Sequence, residues 1–201
     1  SMAARLHVSR PTARQALQRL VDRGLLPRRR GVGTIVSPSQ VHRPMELTSL
    51  MKDLVEADHK VQTTIQRYEA HPATEAEAEA LKIEAGTLIV HIERTRFTNN
   101  EPIAVLRNLI PADIAPTMQE LESGSLYDLM RERGVTLTSA RQVIGARSAT
   151  TKEAKLLSEH RGAALLTTQR TTYDPSGRIV EYGNHIYRAS RYSFEANLFA
   201  Q

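Results

Sequence analysis

Residues 74–110 read TEAEAEALKIEAGTLIVHIERTRFTNNEPIAVLRNLI, and residues 150–186 read TTKEAKLLSEHRGAALLTTQRTTYDPSGRIVEYGNHI. At a constant offset of 76 residues the two stretches align Thr74/Thr150, Glu77/Glu153, Ala78/Ala154, Leu81/Leu157, Gly86/Gly162, Arg94/Arg170, Thr95/Thr171, Phe97/Tyr173, Ile103/Ile179, Asn108/Asn184 and Ile110/Ile186. Each opens with Thr-x-x-Glu, a capping box in which the hydroxyl accepts a first-turn amide and the carboxylate reaches back to the cap. A glycine follows, then two strand-like runs, 88–97 with 103–110 and 165–173 with 179–187. Asn99-Asn100 joins the first pair and Asp174-Pro175-Ser176-Gly177 the second, residues that supply turn geometry. A helix and a hairpin, repeated, predict an α+β domain: one antiparallel sheet with helices on one face and a ligand cleft at the seam of the duplication. Between the halves lie 125–133, an amphipathic helix ended by Gly134, and 143–149.

Charge sets the N-terminal end apart. Residues 1–37 carry eight arginines (Arg5, Arg10, Arg14, Arg19, Arg23, Arg28, Arg29, Arg30) against the single acid Asp22, a net +7, whereas the whole chain is +5. The remainder is therefore −2, and the asymmetry predicts a polyanion partner for the first segment. Within it Ser9 is placed as an N-cap, Pro11 suits the first helical turn and Gly24 the C-terminal cap. Ala13, Ala16, Leu17, Leu20 and Val21 form the buried stripe of this helix, leaving Arg10, Thr12 and Arg14 on the polar face. Cations at a helix N-terminus oppose the helix dipole, and phosphates or base edges would compensate them. After Leu25-Leu26-Pro27 comes Arg28-Arg29-Arg30, then Gly31-Val32-Gly33 and Thr34-Ile35-Val36, two short strands around a glycine-rich tip. Residues 38–44, with Pro38 and Arg43-Pro44, read as an extended linker, so the domains are 1–37 and 45–201.

These residues exclude several classes. Cysteine is absent, so neither a disulfide framework nor a thiolate metal site exists. The apolar runs are too short to span a bilayer and the N-terminus lacks a signal-peptide core, which makes a cytoplasmic location without membrane contact the expectation. Histidines 7, 42, 59, 71, 91, 160 and 185 show no metal-ligand spacing, and no nucleophile constellation or phosphate-cradling glycine loop is present. No metal, cofactor or catalytic residue is expected.

The pattern S-R-x-T-x-R-x-A-L-x-x-L, then G-L-L and G-x-G-T-x-V, resembles the winged helix-turn-helix of the GntR family of bacterial regulators. The resemblance implies DNA contacts from Ser9, Arg10, Thr12 and Arg14 on a recognition helix and from Arg30 and Gly31 at the wing tip. It also implies that the winged domain is N-terminally incomplete, with only residues 3–7 standing for the helix that precedes recognition. From 45 to 198 the chain resembles the UTRA effector domain of the HutC branch, of chorismate-lyase-like fold. The marks are Leu47-Thr48-Ser49, Arg94-Thr95-Arg96, Ser125-Leu126-Tyr127-Asp128, Arg170-Thr171-Thr172-Tyr173, Glu181 and the closing Tyr187-Arg188-Ala189-Ser190-Arg191-Tyr192-Ser193-Phe194. By that resemblance Arg94, Arg96 and Ser125, with amides of Thr48, Ser49 and Leu50, hold an effector's phosphate, while Tyr127, Glu181 and Tyr187 line the rest of the pocket. Where the family pattern P-x-A-x-E has an acid, this chain has Leu106.

The residues support the carry-over independently. Arg94 and Arg96, two apart on a strand, share a face, and paired guanidiniums converging on one point call for an anion. Pairing with Glu93, Glu101 or Glu181 is the competing reading. Glu181 stands equally as an acceptor for a ligand or as an internal counterion, and the tyrosines as core residues. The expected protein is a DNA-binding regulator, a homodimer on a two-half-site operator, controlled by a small anionic metabolite such as a phosphorylated sugar or a carboxylate. A small-molecule enzyme of the same fold, or a dimerisation module without ligand, are the alternatives.

Overall fold

The structure is a computed structural model that describes residues 61–195 continuously, together with residues 9, 11–12, 15, 28–29, 33–34 and 41–44. The chain divides into two compact units, Ser1–Val41 and His42–Gln201. In the first, Pro11, Thr12 and Gln15 are helical and exposed. Ser9 caps this helix as predicted, its Oγ accepting the Thr12 amide at 3.3 Å. Strands β1 (Arg28–Arg29) and β2 (Gly33–Thr34) pair antiparallel, Arg28 opposite Thr34, which is the predicted hairpin around the glycine tip. Arg10, Arg14, Arg30 and Gly31 lie outside the described residues. Strand β3 (Val41–Pro44) lies within the stretch read as linker, and it is extended there.

The second unit is built on β4 (Val61–Pro72), β5 (Leu88–Thr98), β6 (Glu101–Pro111), β7 (Ser139–Ser148), β8 (Ala164–Tyr173) and β9 (Ile179–Arg188). They form one antiparallel sheet in the order β4-β5-β6-β9-β8-β7, and β10 (Tyr192–Glu195) pairs with β3. The helices are α1 (Glu75–Leu81), α2 (Met118–Ser123), α3 (Leu126–Glu132) and α4 (Thr151–Leu156). Both predicted capping boxes are present: Glu77 Oε2 accepts the Thr74 amide at 3.0 Å and Glu153 Oε2 the Thr150 amide at 3.1 Å. The sheet order is palindromic with respect to the repeat, since β4-β5-β6 and β7-β8-β9 meet at the β6–β9 seam.

Two expectations are corrected here. Helices cover both faces of the sheet, not one. Facing residues across antiparallel strands share a side, so α1 packs on the face of Ile89 and Leu109 and α4 on the same face against Val105, Leu165 and Ile186. Leu121 of α2 and Leu126 and Met130 of α3 cover Val90, Ile92 and Ile110 on the other. The constant offset also fails beyond the hairpin turns. Arg94 pairs with Leu106, but its counterpart Arg170 pairs with Gly183, so β9 is displaced by one residue relative to the sequence match. The cause is turn length. Asn99 and Asn100 make a tight turn with φ of 51° and 65°. The second turn is one residue longer, with Asp174 Oδ1 accepting the amides of Ser176 and Arg178 at 2.9 and 3.0 Å. A one-residue slip exchanges the faces of a strand, so Asn108 corresponds in space to His185, not to Asn184.

Candidate functional site

Strand register assembles the site on the face shared with α2 and α3. One row across the sheet is Arg94, Leu106, His185 and Thr168; the row on one side is Arg96, Ala104, Tyr187 and Leu166. The row on the other side is Ile92, Asn108, Gly183 and Arg170. Of the predicted effector residues, Arg94, Arg96, Glu181 and Tyr187 thus share this face, and Tyr127 reaches it from α3. Ser125 caps α3, its Oγ accepting the Asp128 amide at 3.5 Å. Thr48, Ser49 and Leu50 lie outside the described residues.

Arg94 and Arg96 are each only 2% exposed. Arg94 Nη2 donates to Asn108 Oδ1 at 2.9 Å and Arg96 Nη1 to Thr63 Oγ1. Arg94 Nε and Nη1 and Arg96 Nε are buried with no hydrogen-bond acceptor among the described residues. The competing ion pairs are taken elsewhere: Glu93 binds Arg107 at 2.6 Å and Glu101 binds Arg191 at 2.6 Å. Burial pulls the Arg94 guanidinium down to about 10, with the Glu181 and Tyr127 charges opposing. Arg96 falls further, to about 9, because burial is joined by repulsion from Arg94. Both remain charged at neutral pH, so the face holds two desolvated cations, part of whose N–H groups lack acceptors among the described residues, an arrangement costly unless an anion supplies them.

Glu181 is completely buried and its oxygens are engaged. Oε1 accepts from Asn108 Nδ2 at 2.6 Å, and Oε2 from Thr172 Oγ1 at 2.8 Å and the Tyr127 hydroxyl at 3.2 Å. Burial pushes its carboxyl above the usual carboxylate range against these donors. The Tyr127 hydroxyl is raised to about 12, by burial first and the Glu181 charge second. This network rigidly connects Arg94, through Asn108, to Glu181. Gly183 makes it possible, since a Cβ there would collide with Glu181 Oε1 and meet His185 Nε2 at 2.6 Å. The Tyr187 ring stacks on Tyr192 with centroids 4.3 Å apart and meets Phe194 edge-on.

Sequence reasoning missed Asn108, Thr168, Thr172 and His185 as site residues. Their membership depends on which strands neighbour one another, and the only advance signal was their alternation with residues already singled out. The opposite face has an open groove of about 480 Å³, lined by Arg107, Gly145, Thr167, Gln169 and Asn184 among others, with Thr168 and His185 also bordering it. Its arginines are paired, Arg107 with Glu93 and Arg147 with Glu153, unlike Arg94 and Arg96. Among the described residues no group of His, Asp and Glu is placed to hold a metal ion, and no helix is long and apolar enough to cross a membrane.

A capped, exposed helix followed by a basic hairpin, joined to a duplicated sheet domain with unmet buried cations, defines a ligand-responsive transcription regulator. Comparison with known proteins agrees. The UTRA domain family matches residues 56–193 and the family of bacterial regulatory proteins called gntR matches residues 1–36. The HTH-type transcriptional repressor NagR of Bacillus subtilis is 33% identical over 195 residues, covering 96% of this chain and 80% of that protein. The histidine utilization repressor of Klebsiella aerogenes is 27% identical over 197 residues, covering 96% and 81%. The crystal structure of PhnF from Mycobacterium smegmatis superposes with a TM-score of 0.81 at 25% identity, over 99% of this chain and 89% of that one. The chain belongs to the HutC branch of the GntR family: it is a DNA-binding regulator of transcription with a small-molecule effector domain, and not an enzyme.

Proposed function

We propose that this protein represses transcription as a homodimer and releases its operator when a small anionic metabolite binds over Arg94 and Arg96. The observation that carries the reading is the set of three buried guanidinium nitrogens, on Arg94 and Arg96 two apart on β5, that have no acceptor among the described residues. A phosphate or carboxylate matches them in charge and in fork geometry. In this reading Ser125 and the amides of Thr48, Ser49 and Leu50 complete the anion cradle, as the family resemblance implies. Tyr127 and Tyr187 flank the remainder, and Glu181, with both oxygens engaged, orients Asn108 against Arg94. Leu106, buried between Arg94 and His185, gives the middle of the pocket an apolar wall. Ser9, Arg10, Thr12 and Arg14 read the operator from the recognition helix, and Arg30 and Gly31 from the wing.

The coupling is thermodynamic. An effector that prefers the dimer geometry in which the recognition helices no longer match the half-sites lowers operator affinity, and operator binding lowers effector affinity by the same factor. The test is an electrophoretic mobility shift of the regulator on the DNA upstream of its own gene, at several salt concentrations and with a panel of phosphorylated sugars and carboxylates. Salt-dependent binding relieved by one anionic compound, and unrelieved in Arg94→Ala and Arg96→Ala, is expected. Relief that persists undiminished in both variants overturns the anion site.

A further inference from the structure

We infer that Thr168 is a second, neutral anchor for the effector, at the far end of the row that begins with Arg94, and that the effector is therefore elongated, with an anionic head and a hydroxyl or carbonyl at its tail. This rests on the anion site proposed above.

Thr168 is 3% exposed, and its Oγ1 has no hydrogen-bond partner among the described residues. A buried hydroxyl left unmet costs free energy that valine, of nearly the same shape, would avoid. The neighbouring threonine on the same face shows the ordinary solution, since Thr172 Oγ1 donates to Glu181 at 2.8 Å. Among the described residues Thr168 has no such acceptor, and a group from outside the chain would satisfy it.

Position gives the ligand its length. The register runs Arg94 to Leu106, Leu106 to His185 and His185 to Thr168, three steps between adjacent strands. At about 4.8 Å per step the two ends lie about 14 Å apart along the sheet. Between them the floor is Leu106 and the His185 ring. A compact ion such as inorganic phosphate occupies only the arginine end, whereas a longer molecule lies over Leu106 and reaches Thr168.

The tail is neutral. The nearest cation on that side, Arg170, is committed, with Nε donating to Gln142 Oε1 at 2.7 Å and Nη1 to the Tyr127 hydroxyl at 3.4 Å. On the other side Thr168 faces Ile144 of β7. A threonine hydroxyl both donates and accepts, and it recognises a hydroxyl, carbonyl or ether oxygen without a second charge.

The test uses the full chain and isothermal titration calorimetry with inorganic phosphate, straight-chain alkyl phosphates and ω-hydroxyalkyl phosphates of matched, increasing length. We expect phosphate to bind the parent, Thr168→Val and Thr168→Ser alike. The ω-hydroxyl should add nothing at short chain lengths and about a tenfold gain once the tail spans the row. That gain should vanish in Thr168→Val and survive in Thr168→Ser. Phosphate binding without a length-dependent hydroxyl gain, or a gain that persists in Thr168→Val, overturns the second anchor alone. Failure of the parent to bind any of these phosphates overturns the anion site and the anchor with it.

Discussion

Replacing Arg96 with methionine should stabilise the free protein while removing its response to anions. Arg96 is buried beside Arg94, keeps one hydrogen bond to Thr63 and has no carboxylate partner among the described residues. The fall of its guanidinium from 12.5 to about 9 corresponds, at about 1.4 kcal/mol per tenfold, to several kcal/mol of unfavourable burial and repulsion from Arg94 together. Methionine fills similar space without charge, forfeits about 1 kcal/mol of hydrogen bonding to Thr63, and leaves that hydroxyl without its donor. Replacement of buried ionic groups by apolar ones gains on the order of 1–4 kcal/mol elsewhere, so a net gain of about 1–3 kcal/mol is expected. The folded-state pKa lies below the unfolded one, so the penalty is fully present below pH about 9 and lessens as the pH rises above it. The advantage of Arg96→Met should therefore be full at neutral pH and shrink in alkali. For a domain of this size it amounts to a rise of a few degrees in Tm, measured by thermal melts in anion-free buffer. Adding phosphate should raise the Tm of the parent and leave the variant unmoved. A variant that melts well below the parent in anion-free buffer would mean that Arg96 has an internal counterion, and the reasoning would fail.

Other consequences follow from the same geometry. Gly183→Ala places a Cβ against Glu181 and His185; it should cost about 1–3 kcal/mol in chemical denaturation and weaken phosphate binding in the same preparation, because Asn108 loses its hold on Arg94. Tyr127→Phe removes one of the donors to Glu181 Oε2 and should cost about 1 kcal/mol, again by denaturation. Glu153 is held at about 2, chiefly by hydrogen bonds from Arg147, with Thr150 contributing. A carboxyl with a depressed folded pKa stabilises above its unfolded value and loses that contribution as the pH falls towards about 2. Thus the stability deficit of Glu153→Gln relative to the parent should narrow between neutral pH and about pH 3, as followed by urea titrations at each pH.

The features legible in the sequence were those encoded over a few residues. Thr74 and Glu77, or Thr150 and Glu153, signal a cap within four positions, and Asn99-Asn100 signals a turn by itself, so the duplicated helix–hairpin unit could be read directly. Arg94 and Arg96 could be paired because alternation along one strand needs no knowledge of its neighbours. Strand β4 escaped notice because a bulge between Ile65 and Arg67 breaks its alternation. Helix α2 escaped because it is six residues long, although Thr117 and Glu120 carry the same capping box as the other two. The partnership of Asn108 with Glu181 was illegible for a different reason. One extra residue in the Asp174–Arg178 turn shifts β9 against the repeat, and only the register shows which side chains then meet. The two readings of Glu181 stood level in the sequence because its donors Asn108, Thr172 and Tyr127 come from other strands and a helix.

The central claim, that the buried arginine pair is an anion site controlling the operator, is tested most directly by measuring operator affinity and phosphate-ester affinity on one protein preparation. Calorimetric titration of phosphate esters into the free regulator and into its operator complex should give weaker binding to the complex, matched by an equal loss of operator affinity in saturating ester, with both effects absent in the Arg94→Ala, Arg96→Ala double variant. Equal ester affinity for the free and DNA-bound forms, or undiminished binding by the double variant, would contradict it.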